Sequence, residues 1–140
     1  MAGPYLIEMS GNPASVRDGL RRALGQTPLA ALSQDDRSTA EIVLAEVLNN
    51  IAEHAYADGD GPIRLWLGWA AGRLVCRIED EGSPMPGGMP PQGRPPCPEE
   101  LAEGGFGWHL IRSLADDLAY QRAWGINRLY FTLPAERSPG

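Results

Sequence analysis

The chain has 140 residues, of which 43% are hydrophobic and 21% charged, with a net charge of -6. That length is one ordinary domain, 1–140, able to bury a core without staples, and the acidic balance speaks against a nucleic-acid partner, which needs a basic face. No apolar run approaches a bilayer span and no basic-then-apolar leader opens the chain, so the expectation is a soluble, cytoplasmic protein with no membrane partner.

In chain order, Tyr5 to Met9 reads as a first strand. Asn12 followed by Pro13 is a helix start, with Asn as N-cap and Pro at the first helical position. Val16, Leu20, Ala23 and Leu24 then keep helical spacing up to Gly25. After Pro28, Ser33 or Asp35 caps a long helix extending to about Tyr56, where Asp58-Gly59-Asp60-Gly61 must stop it. Ile63, Leu65, Leu67 and Trp69, then Leu74, Cys76 and Ile78, alternate as two strands joined at Ala71-Gly72. Residues 82 to 105 hold seven prolines and no periodicity, the pattern of a lid or a linker. Leu110, Ile111 and Leu114 restore a short helix after Gly105-Phe106-Gly107. Two strands, about Leu118 to Trp124 and Arg128 to Leu133, close the chain around a hairpin turn at Gly125-Ile126-Asn127. This order predicts an α+β fold, a two-layer α/β sandwich whose mixed, mostly antiparallel sheet carries helices on one face.

Within the long helix, Glu46, Asn50 and His54 are spaced by four and line one stripe beside Leu44, Val47, Leu48, Ile51 and Ala55. Asn competes for backbone hydrogen bonds in a helix, so Asn49-Asn50 asks for a reason; a solvated stripe and a ligand-binding stripe both satisfy the spacing. Period two from Ile78 puts Asp80 on the core-facing side, where a carboxylate must find a partner or neutralise; the other placement is a frayed strand end in water. Cys76 and Cys97 have neither metal-ligand spacing nor disulfide density and read as free thiols. His54 and His109 read as helix-surface residues. The four tryptophans read as packing residues, although one exposed on the helix-free face of the sheet would mark a contact surface.

Taken together, Glu46-x3-Asn50-x3-His54-Ala55-Tyr56, Asp80-x-Gly82, and Gly104-Gly105-Phe106-Gly107 with Asp116, Tyr120 and Asn127 downstream resemble the N, G1 and G2 boxes of the GHKL ATPase superfamily, whose ATP-binding fold is the Bergerat fold. More narrowly, they are similar to its anti-sigma-factor serine kinase branch, over about residues 35 to 133. The resemblance implies ATP and Mg²⁺ as ligands and a nucleotide lid at about 82–105. Asn50 would be the Mg²⁺ ligand, with Asn49 the runner-up, since Mg²⁺ takes hard oxygen donors and keeps most of its shell as water and phosphate. Glu46 would orient or deprotonate the attacking hydroxyl or water. Asp80 would accept from the exocyclic amine of adenine, and Gly82 would let backbone approach the base. Gly105 and Gly107 would free N–H groups for phosphate at a helix N-terminus. Arg94 either reaches the terminal phosphate from the lid or stays solvated.

The activity so implied is a serine/threonine protein kinase that phosphorylates a STAS-type anti-anti-sigma protein and sequesters a sigma factor, in a branch whose members are commonly homodimers. The alternative is an ATP-binding interaction module without kinase turnover. Two positions depart from the pattern. Trp108 replaces a smaller aliphatic residue and is expected to narrow the cleft, and Arg128 stands where relatives often carry a threonine near the adenine. Thr132 falls on the opposite alternation to Leu129, Phe131 and Leu133 and is not assigned to the pocket.

Overall fold

A computed structural model describes residues 5–91 and 106–135. The strands β1 (Tyr5–Ser10), β2 (Pro62–Ala70), β3 (Arg73–Asp80), β4 (Asp116–Ala123) and β5 (Ile126–Pro134) form one sheet. Their spatial order is β1-β2-β3-β5-β4, and the mostly antiparallel sheet expected is antiparallel in all four pairings. Helices α1 (Pro13–Leu24), α2 (Gln34–Asn50) and α3 (Phe106–Leu114) build the second layer. Leu65, Leu67, Leu74, Cys76, Ile78, Leu129, Phe131 and Leu133 alternate onto one buried face, as period two dictates. Against them lie Ala40, Val43, Leu44, Val47 and Leu48, the helical stripe of α2.

The helix starts follow their caps. Asn12 Oδ1 accepts from the Ser15 N–H at 2.9 Å and opens α1. Of the two cap candidates for α2, Ser33 does the work, accepting from the Asp36 N–H at 3.2 Å. Asp35 instead sits with Asp36 in the first turn, where negative charge suits the helix dipole.

The α-helical hydrogen bonding of α2 ends at Asn50, short of the expected Tyr56. A π turn, Ile51–Ala55, takes over, and the Tyr56 N–H donates to Ile51 O at 3.0 Å. Such widened turns recur at functional sites because they re-aim neighbouring side chains. Tyr56 fixes this end of the helix. Its hydroxyl donates to Pro62 O at 2.6 Å and accepts from the Glu81 N–H at 2.7 Å. Its ring fills the space where a Cβ on Gly11 or Gly61 would fall, 2.2 and 2.4 Å from ring carbons. Tyr56→Phe is expected to lower unfolding free energy by about 1–3 kcal/mol, since it strands the Glu81 N–H, and urea denaturation reads this directly.

The β2–β3 turn places Ala71 and Gly72 at φ of 53° and 76°, and the β4–β5 turn places Trp124 and Gly125 at 55° and 76°. Both have the positive φ pair of a tight hairpin. The second turn therefore falls earlier than Gly125-Ile126-Asn127, and Ile126 and Asn127 belong to β5, a shift that moves Asn127 from a loop into the sheet. On the helix-free face, Glu79 is 7% exposed and faces Arg128 Nε at 2.7 Å, Arg64 Nε at 3.6 Å and Arg77 Nε at 4.0 Å. The Arg77 guanidinium also lies 4.2 Å from the Trp66 ring centroid. Trp108 is buried and Trp66 and Trp69 are half-buried, as packing residues should be. Trp124 is 98% exposed at the β4–β5 hairpin tip.

Candidate functional site

At the seam between the end of α2, the π turn, α3 and the ends of β3 and β5 lies a cavity of about 540 Å³, within the size range of small-molecule sites. Val47, Asn50, Asp80, Met85, Trp108 and Asn127 are among its walls. The lining is mostly apolar with a few convergent polar groups, the usual make-up of a site for an aromatic ligand that carries polar edges.

Asp80 ends β3 on the core-facing side and is 5% exposed, so the buried placement holds over the frayed end in water. Its Oδ1 accepts from the Asn127 amide at 2.8 Å and from the Gly82 N–H at 2.9 Å. Oδ2 has no hydrogen-bond partner among the described residues, and the residue lines the cavity. Burial pushes its carboxyl above the ordinary range; the two hydrogen bonds and nearby Arg122 pull the other way without overcoming it, and Glu81 adds to the rise.

Gly82 is placed differently from its expected role. A Cβ there would lie 2.3 Å from Ala55 O, so its close approach is to the helix end and not to the cavity. Its N–H holds Asp80, while the next N–H, of Ser83, bonds Ala55 O at 2.8 Å. Gly82→Ala is expected to destabilise the fold by about 1–3 kcal/mol through overpacking against backbone, and a thermal melt checks it.

Asn50 and Glu46 meet α3. The Asn50 Nδ2 donates to Glu46 O at 3.1 Å, a back-bond to the preceding turn, and Asn50 lines the cavity. Asn49 is exposed and does not line it. A Cβ on Gly107 would stand 2.5 Å from Glu46 Oε2 and 3.5 Å from Asn50 Nδ2. Glycine in the first turn of α3 thus lets the carboxylate and the amide sit against the helix start. Glu46 itself is half-buried beside the cavity lining. His54 lines the cavity, yet its side chain is 74% exposed, with Glu53 at 3.9 Å. Gly105 and Arg94, together with most of the expected lid, lie outside the described residues.

Asn127 is the residue that sequence reasoning under-used. Besides Asp80, its Nδ2 reaches Ser83 O at 3.0 Å and Gly82 O at 3.3 Å. Its Oδ1 accepts from the Tyr120 hydroxyl and from Arg122 Nη1, the latter at 2.8 Å. Tyr120 OH also accepts from the Met85 N–H at 3.1 Å, and Arg122 Nη1 from its side donates to Gly82 O at 2.8 Å. Residues 82–85 are thereby held by the β4–β5 hairpin. Further along, Arg112 of α3 donates to Pro90 O and Pro91 O, each at 2.8 Å. The signal for Asn127 was available: counting back by twos from Leu133, Phe131 and Leu129 lands on it.

Arg128, the position where a threonine was expected near the base, points to the other face and binds Glu79. Strand alternation explains this, since Asp80 pairs with Asn127 and Glu79 with Arg128. Thr132 lies away from the cavity as expected, bonded to Arg73 and Asp117. Trp108 is 5% exposed and forms part of the cavity wall.

An antiparallel sheet covered on one face by helices, with a cavity framed by an Asn on the long helix and an Asp at a strand end, and a Gly beside it at a helix start, defines an ATPase-type α/β sandwich. The chain belongs to the histidine kinase-like ATPase domain family, whose model matches residues 9–133. It is 30% identical over 100 residues to the serine-protein kinase RsbW of Bacillus mycoides (strain KBAB4), covering 68% of this chain and 62% of that protein. With the serine-protein kinase RsbW of Bacillus licheniformis it shares 29% over 100 residues, covering 67% and 62%. The match therefore spans about three fifths of the length of these curated relatives. In fold, it is similar to the RsbU and RsbW domains of Rv1364c from Mycobacterium tuberculosis, with a TM-score of 0.62 at 17% identity over 98% of this chain and 34% of that one.

Proposed function

We propose that the cavity binds ATP with Mg²⁺ and that the protein is a serine/threonine protein kinase of the anti-sigma type. It passes the terminal phosphoryl group to a serine or threonine of a STAS-type anti-anti-sigma protein and holds a sigma factor in the cytoplasm. The observation that carries this reading is the convergence of three distant segments on one cavity: Asp80, whose Oδ2 has no hydrogen-bond partner among the described residues, Asn50 of α2, and Trp108 of α3, beside which Gly107 packs close to Glu46.

Each group has chemistry to match. Asp80 Oδ2 accepts from the exocyclic amine of adenine, while Val47, Met85, Trp108 and Leu129 supply apolar surface for the ring. Asn50 Oδ1 is the hard oxygen donor that Mg²⁺ requires. The remaining donors are ligand oxygens and water, which Mg²⁺ readily keeps. Mg²⁺, when bound, supplies charge neutralisation to the triphosphate. The start of α3 offers backbone N–H groups and the positive end of its dipole to phosphate. Glu46, one turn before Asn50, takes the proton of the attacking hydroxyl or aligns it. The names of the serine-protein kinase relatives support a protein hydroxyl as acceptor. No helix of the described residues is long and apolar enough to cross a membrane.

Incubation with γ-labelled ATP, Mg²⁺ and candidate STAS-type proteins tests the proposal. Label is expected on serine or threonine of the partner. Stabilisation by Mg-ATP with no transfer to any such protein would instead select the interaction module without turnover.

A further inference from the structure

The side-chain amide of Asn127 has its direction fixed by its surroundings. Arg122 can only donate, and it sits 2.8 Å from Oδ1, which also receives the Tyr120 hydroxyl. The other end, Nδ2, must then face Asp80 Oδ1 at 2.8 Å and Ser83 O at 3.0 Å. A reversed amide would set oxygen against both of these acceptors and N–H against the guanidinium. With Asn127 and the Gly82 N–H both donating to Oδ1, the acceptor demand of that oxygen is met inside the wall. What Asp80 offers to the cavity is Oδ2.

We propose that Asn127, held by Tyr120 and Arg122, is a specificity-determining positioning residue that commits the Asp80 subsite to 6-aminopurine nucleotides and against 6-oxopurine ones. This rests on the nucleotide reading of the cavity and goes beyond it by assigning base choice to a residue that holds Asp80. An acceptor oxygen at Oδ2 meets the 6-amino group of adenine as a donor. The 6-oxo group of hypoxanthine or guanine would bring a second acceptor to the same point, leaving two oxygens facing each other without a proton between them. Replacing Asn127 by an apolar residue leaves Oδ1 with the Gly82 N–H alone and lets the carboxyl rotate or take a proton, which converts it to a donor that tolerates a 6-oxo group. Asn127→Asp goes further, because two adjoining carboxyls share a proton.

The test is calorimetric titration of the full chain with Mg-ATP and Mg-ITP, which differ at the 6-position. The wild type is expected to favour ATP by at least about tenfold. Asn127→Leu and Asn127→Asp are expected to bring that ratio close to one, and Tyr120→Phe, which keeps the Arg122 bond, to give an intermediate ratio. A residue that merely supports the fold would weaken both nucleotides together, so an unchanged ratio in the variants overturns the proposal. Should Asn127→Leu fail to fold, Tyr120→Phe and Asn127→Asp decide by the same ratio. Equal wild-type affinity for ATP and ITP overturns the base assignment alone, whereas no binding of either overturns the nucleotide reading with it.

Discussion

Asp80→Asn is expected to raise the stability of the ligand-free protein while removing its stabilisation by Mg-ATP. Burial raises the carboxyl above its ordinary value of 3.8 in the folded state. Between 3.8 and that raised value the native protein binds more protons than the unfolded chain, so stability falls as pH rises through the window. Above that window the ionised, buried group is a net cost to the fold. Asparagine keeps a carbonyl oxygen for the donors Asn127 and Gly82 and removes the charge, so the ligand-free melting temperature should rise by a few degrees and its dependence on pH above 3.8 should flatten. In the other direction, with that oxygen held by Asn127 and Gly82, the variant presents an N–H₂ to the base in place of Oδ2. Losing a hydrogen bond to a charged acceptor weakens nucleotide binding by about 10- to 150-fold, which removes most of the ligand-linked melting shift. Melts of wild type and variant across pH, each with and without Mg-ATP, read both effects. A variant that is less stable without ligand yet keeps the shift would contradict both.

Glu46→Gln is expected to leave nucleotide affinity within a few-fold of wild type and to reduce phosphoryl transfer by about 10²–10⁴-fold, the usual worth of a positioned general base. Its carboxylate packs on Gly107 beside the cavity and not in its lining, so glutamine can occupy the same space. What disappears is the capacity to accept a proton. Single-turnover transfer from labelled ATP, measured beside binding, separates the two. Undiminished transfer would leave Glu46 only the task of setting negative charge at the start of α3.

Much of this architecture was legible from spacing. Asn12-Pro13, the stripe of α2 and the alternation of β2, β3 and β5 each rest on local rules, and the same alternation placed Asp80 inside. The π turn was not legible, because Ile51-Ala52-Glu53-His54-Ala55 carries an ordinary helical pattern; the widening accompanies the tethers of Tyr56 to Pro62 and Glu81, which depend on distant chain. Placing the hairpin turn too late hid Asn127, since a residue assigned to a turn has no face. Read as part of β5, it pairs with Asp80 by register alone. Gly82 shows a further limit: its spacing after Asp80 was visible, while its contact with Ala55 required the packed tertiary fold.

The central claim is that the Asn50–Asp80–Asn127 cavity is a nucleotide site, and direct titration of the wild-type chain with Mg-ATP tests it most directly. Saturable binding at one site per chain, weakened by at least about tenfold in Asp80→Asn and weakened in Asn50→Ala when Mg²⁺ is present, is the predicted result. No binding by a folded wild type, or binding indifferent to both substitutions, would contradict it.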